Sequence, residues 1–248
     1  MRPFALALLM AASSQAQTLL DYDGGWTDTA SGQALVSLPA DYDRPAGSGQ
    51  AADPDRTWPL LLFLHGAGER GDSLDAVSVH GPIKERRAGR DLPLASPTSR
   101  FIVVAPQVPA GERWTVGRIA AALDDALDTY RIDRDRVYVT GLSMGGFGTW
   151  EAITRMPERF AAAVPICGGG LPLGVEAARD VPVWAFHGAM DTVVPVEASV
   201  AMVRALRAAG GDVRFTVYPD AGHDAWTATY ADPAVYDWLL SHRLSDRD

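Results

Sequence analysis

The sequence has little cysteine, little lysine and no excess of positive charge. Cys167 is the only cysteine in 248 residues, which excludes a disulfide within the chain and a cysteine cluster for zinc. Acidic residues outnumber basic ones by 31 to 22, so the formal net charge is -9. A net negative charge disfavours binding to the phosphate backbone of nucleic acids or to anionic membranes. We therefore expect no nucleic-acid partner and no membrane insertion.

The chain also lacks internal repeats, low-complexity tracts and the H-x-x-x-H spacing of zinc hydrolases. These absences argue against a solenoid, a disordered protein and a metal centre. Hydrophobic residues make up 47% of the chain, enough for one sizeable core. We expect a single domain over residues 17–248.

The first sixteen residues predict an export signal. Arg2 supplies a positive charge, an apolar run extends from Phe4 to Ala12, and small residues stand at Ser14 and Ala16. The apolar run is too short for a membrane-spanning helix. We expect cleavage after Ala16 and a secreted or periplasmic protein.

Apolar runs of strand length alternate with helical patterns along the rest of the chain. The runs are 34–38, 59–64, 101–105, 137–140, 162–166, 181–186 and 213–218, and the helical patterns are 116–130, 144–155, 196–209 and 233–240. This alternation predicts an α/β fold with a mostly parallel, doubly wound sheet. The strand candidate 34–38 precedes a turn-rich stretch from Pro39 to Pro54, and we expect an entry hairpin or loop there at the edge of the sheet. Ligand sites on such sheets lie at the carboxyl ends of the strands.

A G-x-S-x-G motif follows the run 137–140 and precedes a helical pattern. It reads Gly141-Leu142-Ser143-Met144-Gly145, the strand-turn-helix context of a nucleophile elbow. The glycines leave room for a sharp turn that presents Ser143 at the edge of the sheet. We predict that Ser143 is a nucleophile. A tight βα turn without chemistry is the structural alternative.

A serine hydroxyl needs a base, and the base needs an orienting acid. His223 lies in a flexible turn after the run 213–218, and Asp191 lies on the loop after the run 181–186. The order Ser143, Asp191, His223 is that of α/β-hydrolases. His65 and His187 each end a strand before a glycine, where histidine more often braces a loop. We predict His223 as the base and Asp191 as the acid.

Backbone N–H groups of Met144 and Ala67 are the candidates for an oxyanion hole. Met144 follows the nucleophile, and Ala67 lies in the His65-Gly66-Ala67-Gly68 loop after an early strand. Trp114, Trp226 and His80 are candidate substrate-binding residues, because Trp114 follows a strand end and Trp226 follows the base. A partly buried core position is the alternative for each tryptophan.

With these residues in place, the chain resembles secreted esterases of the α/β-hydrolase superfamily related to polyhydroxybutyrate depolymerases, feruloyl esterases and predicted peptidases of the prolyl oligopeptidase type. The resemblance extends from about Trp58 to the C-terminus. The matching segments are 64–71, 80–82, 105–107, 141–146, 165–170, 186–188 with Asp191, and 222–226.

The resemblance implies a cofactor-free acyl-enzyme mechanism acting on short-chain or aromatic carboxylic esters, either small molecules or oligomers. No long insertion that could serve as a large lid is evident, so we expect an open site. A serine peptidase, a polyester depolymerase and a non-catalytic binding protein of the same fold are the competing interpretations. The absence of a gating domain speaks against a peptidase, and the complete triad speaks against a binding protein.

Overall fold

The structure is a computed structural model that describes residues 17–22, 32–39, 42, 55–87 and 101–247. The export signal expected in residues 1–16 lies outside the described residues. So does most of the turn-rich stretch between Pro39 and Pro54.

An eight-stranded sheet forms the centre of the described part of the molecule. Its strands are β1 (Gln17–Tyr22), β2 (Gly32–Ser37), β3 (Trp58–Leu64), β4 (Ile102–Pro106), β5 (Ile132–Leu142), β6 (Ala162–Ile166), β7 (Val183–Gly188) and β8 (Val213–Tyr218). Their spatial order is β1-β2-β4-β3-β5-β6-β7-β8. The six strands β3 to β8 are parallel, whereas β2 is antiparallel to both β1 and β4. The predicted α/β fold with a mostly parallel, doubly wound sheet is confirmed, and the antiparallel pairing of β1 and β2 at its edge is an addition from the structure.

Helices cover both faces of the sheet. They are α1 (Gly81–Arg87), α2 (Val116–Thr129), α3 (Met144–Arg155), α4 (Glu197–Ala208), α5 (Trp226–Ala231) and α6 (Pro233–Leu240). One core lies under α2, α3 and α4, and the other lies under α1, α5 and α6. In β3, Leu60 and Leu62 enter the first core while Leu61 and Phe63 enter the second. A strand buried on both faces accounts for the uninterrupted apolar run.

Among the described residues, no helix combines the length and the apolar character that crossing a membrane requires. The two helices that the sequence did not predict are α1, with seven residues, and α5, with six. Segments this short hold too few turns for a 3.6-residue period to emerge. Strand β5 begins at Ile132, five residues earlier than predicted, in a charged stretch that includes Asp133 and Arg136.

The first turn of α3 packs very closely against the ends of neighbouring strands. A Cβ atom on Gly145 would lie 1.8 Å from the carbonyl oxygen of Leu64, and one on Gly141 would lie 2.4 Å from the carbonyl oxygen of Gly145. Both distances are far inside van der Waals contact, so only glycine fits at either position. The two glycines therefore allow the chain to turn from the end of β5 directly into α3.

Candidate active site

Three parallel strands bring the predicted triad to one edge of the sheet. Ser143 directly follows β5, Asp191 lies three residues beyond β7, and His223 lies on the loop between β8 and α5. The carboxyl ends of parallel strands share an edge, so residues distant in sequence meet there.

Ser143 occupies a strained backbone conformation. Its φ of 52° and ψ of -116° lie outside the regions that L-residues favour. The turn is fixed on both sides, because the Ser143 N–H donates to the Ile166 carbonyl at 2.9 Å and the Ser143 carbonyl accepts from the Phe147 N–H at 3.1 Å. The side chain of this residue is consequently presented at the top of the sheet, where it is partly exposed.

A continuous hydrogen-bond chain joins the three side chains. His223 Nδ1 lies 2.6 Å from Asp191 Oδ2, and His223 Nε2 lies 2.9 Å from Ser143 Oγ. An ionised carboxylate only accepts hydrogen bonds, so Nδ1 carries the proton in neutral His223. Nε2 then offers its lone pair to the serine hydroxyl. This tautomer is the one that can take a proton from Ser143.

The Asp191 carboxyl is held as an anion in a fully buried position. Burial alone would raise its pKa, but the hydrogen bond with His223 and those from the N–H groups of Val194 and Val193 outweigh it, and the net pKa is lowered. The two backbone donors bind Oδ1 at 2.9 and 2.8 Å. They leave Oδ2 to face His223.

A second histidine borders the same carboxylate. His187 Nε2 lies 3.2 Å from Asp191 Oδ2 and 2.9 Å from the Val194 carbonyl oxygen, and its side chain is completely buried. On the other side of the ring, Nδ1 lies 2.7 Å from Ser199 Oγ. As expected, His187 contacts the loop that follows its strand, through the Val194 carbonyl. The sequence did not predict its contact with Asp191.

The two predicted oxyanion donors both stand at helix starts. Met144 is the first residue of α3, and Ala67 is the first residue of a 3₁₀ turn, Ala67–Glu69, that follows β3. N–H groups in first turns have no acceptor within their own helix. The side chain at neither N-cap position forms a capping hydrogen bond. Both N–H groups therefore suit an external oxyanion.

His65 fixes the loop that carries Ala67. Its Nε2 accepts a hydrogen bond from the Val108 N–H at 2.9 Å, and its Nδ1 donates to the Gly66 carbonyl at 2.6 Å. The His65 carbonyl in turn accepts from Trp114 Nε1 at 2.9 Å. This pattern requires a neutral ring. Burial lowers the pKa of His65 to about 4, against a raising contribution from the Gly66 hydrogen bond and a further lowering by Arg70.

The three predicted substrate-binding residues are distributed on two sides of Ser143. Trp114 is only 3% exposed, yet it lines a cavity of about 420 Å³ together with Ser143, Met144 and Phe147. Trp226 packs edge-on against the His223 ring at 5.1 Å, and His80 packs against Trp226 at 5.5 Å. Trp226 and His80 do not line the cavity beside Ser143.

The structure also places Phe147 and Glu151 in the wall of that cavity, which the sequence analysis missed. They lie four and eight residues after Ser143, on the same face of α3. The helical spacing from the nucleophile is the signal that could have identified them.

Cys167 lies close to the triad without joining it. Its thiol, Asp191 and His223 offer ligand atoms within 4.8 Å of one another. However, the thiol hydrogen-bonds to the His223 carbonyl at 3.1 Å, and burial raises its pKa to about 11. A protonated thiol is a poor metal ligand and a poor nucleophile.

The sheet order and the constellation at the strand ends are those of an α/β-hydrolase. A comparison with models of protein families matches the Dienelactone hydrolase family over residues 105–237. The chain belongs to this family.

One relative in sequence and two solved structures with esterase names are similar to this chain. A bifunctional acetylxylan esterase/xylanase of Neocallimastix patriciarum is 27% identical over 207 residues, which cover 76% of this chain and 29% of that protein. A thermostable esterase superposes with a TM-score of 0.76 at 33% identity, covering 92% of this chain and 63% of the other. A feruloyl esterase module from Clostridium thermocellum superposes with a TM-score of 0.63 at 19% identity, covering 92% and 89%. The chain thus spans less than two thirds of the length of the first two proteins. The similarity to the feruloyl esterase module concerns the fold alone.

The neutral His65 predicts a loss of stability in acid. Its folded-state pKa of about 4 lies below the ordinary value of 6.5, so protonation favours the unfolded chain. The stabilisation is complete above about pH 6.5 and is lost as the pH falls toward 4, amounting to up to about 3 kcal/mol. Urea unfolding at a series of pH values should show this slope in the wild type. The His65→Gln variant should have a lower free energy of unfolding at pH 7, and this free energy should depend less on pH than that of the wild type. If the free energies of the two proteins fell in parallel as the pH was lowered, the assignment of the slope to His65 would be wrong.

Proposed function

We propose that the chain is a serine carboxylesterase that hydrolyses short-chain or aromatic carboxylic esters through an acyl-enzyme on Ser143. The observation that carries the proposal is the hydrogen-bond chain from Ser143 Oγ through His223 to Asp191, at 2.9 and 2.6 Å. The esterase names of the relatives support the same class of reaction.

In the proposed acylation, Ser143 Oγ attacks the ester carbonyl carbon while its proton passes to His223 Nε2. The carbonyl π electrons move onto the oxygen, which the N–H groups of Ala67 and Met144 stabilise. The intermediate collapses by breaking the bond to the alcohol oxygen, which takes the proton from His223. Asp191 stabilises the transient imidazolium.

In the proposed deacylation, a water molecule takes the place of the alcohol. His223 removes one proton from this water as its oxygen attacks the acyl carbon. Collapse of the second intermediate returns the proton to Ser143 Oγ and releases the carboxylic acid. The chemistry is complete with these side chains and water.

Export belongs to the same proposal. The charged, apolar and small-residue pattern of residues 1–16 supports a secreted or periplasmic enzyme whose mature chain begins at Gln17. The N-terminal sequence of protein recovered outside the cytoplasm should then start at Gln17. Recovery of an uncleaved chain in the cytoplasm would contradict export without affecting the esterase proposal.

The Ser143→Ala variant tests the esterase proposal directly. We expect wild-type turnover of p-nitrophenyl acetate or methyl ferulate, and a decrease in kcat on the order of 10³-fold or more in the variant, because no other group replaces the nucleophile. Ser241→Ala is a matched control, since Ser241 is exposed at the end of α6 and bonds only locally to the Trp238 carbonyl.

The outcomes separate the competing interpretations. Undiminished activity in Ser143→Ala would eliminate Ser143 as the nucleophile. Cleavage of a peptide anilide without ester turnover would move the chain to the serine peptidases, and preferential attack on solid polyhydroxybutyrate would move it to the polyester depolymerases. Absence of all turnover by a folded wild type would favour a binding protein.

A further inference from the structure

A second cavity adjoins the one beside Ser143. The first cavity has a volume of about 420 Å³ and the second about 390 Å³. Phe147 and Glu151 line both, so the two share a wall on α3. The two adjoining cavities extend along α3 from Ser143 to the segment after β6, and we refer to them jointly as the groove.

The side of this groove formed by the segment after β6 is apolar at its rim, whereas α3 contributes the polar side chains of Glu151, Thr154 and Arg155 to the second cavity. Phe147 is 41% exposed, and two leucines of the segment after β6, Leu171 and Leu173, are 67% and 82% exposed. All three line the second cavity, whose floor includes Met202 from α4. Large apolar side chains exposed together beside a reactive group are characteristic of a ligand-binding surface.

The position of the groove relative to His223 decides which half of an ester it receives. The departing alcohol oxygen must lie next to His223 Nε2, which returns its proton. His223 does not line the first cavity, whereas Met144, a proposed oxyanion donor, does. The alcohol therefore departs on the side of His223 and Trp226, and the acyl group extends along α3.

We propose that the groove from Ser143 past Phe147 to Leu171 and Leu173 is an acyl-binding site for extended apolar acyl groups, aliphatic or aryl-alkyl, that are longer than acetyl. This inference rests on the proposed function and specifies its acyl class. An acetyl group ends within the first cavity, whereas a longer chain buries apolar surface in the second. Each buried methylene contributes to binding in the transition state if the chain stays in place during the reaction.

The test is a filling variant assayed with two esters of one alcohol. Ala177 is exposed and lines only the second cavity, so Ala177→Phe should obstruct the cavity with little effect on folding. We expect kcat/KM for p-nitrophenyl octanoate to fall by about tenfold or more, and that for p-nitrophenyl acetate to change less than about twofold. Leu173→Asp, which places a charge on the apolar rim, should act in the same direction. Ala201→Phe, at an exposed position of α4 outside both cavities, is the control.

The two esters keep the failure of this inference distinct from the failure of the proposed function. An unchanged octanoate-to-acetate ratio in both Ala177→Phe and Leu173→Asp, with Ser143-dependent acetate turnover intact, would overturn the acyl site alone. No Ser143-dependent turnover of either ester would overturn the proposed function.

Discussion

The site depends on the contact between the first turn of α3 and the end of β3. The hypothetical Cβ of Gly145 would lie 1.8 Å from the Leu64 carbonyl oxygen and 2.8 Å from that of His65. Because glycine has no Cβ atom, the first turn of α3 can pack directly against the end of β3, the strand that leads into the Ala67 loop. Ser143, with its positive φ of 52°, joins β5 to this helix, and Met144 is the first residue of the helix.

The strained backbone conformation of Ser143 is maintained by the hydrogen bonds and packing of the residues around it. A residue in such a conformation costs about 1–3 kcal/mol, which the rest of the fold must offset. Here the Ser143 N–H donates to the Ile166 carbonyl at 2.9 Å, and α3 packs on the apolar core that it shares with α2 and α4. The proposed nucleophile is therefore held in position by the fold itself, which is the condition that preorganised catalysis requires.

The sequence could predict the elements and residues whose pattern is local. Ser143, Asp191 and His223 each follow an apolar run of strand length, and parallel strands ending at one edge bring such residues together. The bounds of α3 follow from the glycine-rich turn before it and the apolar face within it. By contrast, the polar beginning of β5 is a strand only because it pairs with β3, through Trp58 and Ile132, which no local pattern reveals.

The remaining features arise from tertiary contacts between segments far apart in the chain. The approach of His187 to Asp191 depends on the path of the loop after β7, and the groove joins α3 to a segment after β6. These two parts of the site face different constraints. The buried polar groups around Asp191 must all remain paired, whereas Leu171 and Leu173 are largely exposed and can change without opening the core. In the proposed esterase, the groups around Asp191 can stay fixed while the groove residues vary, so family membership alone does not define the substrate.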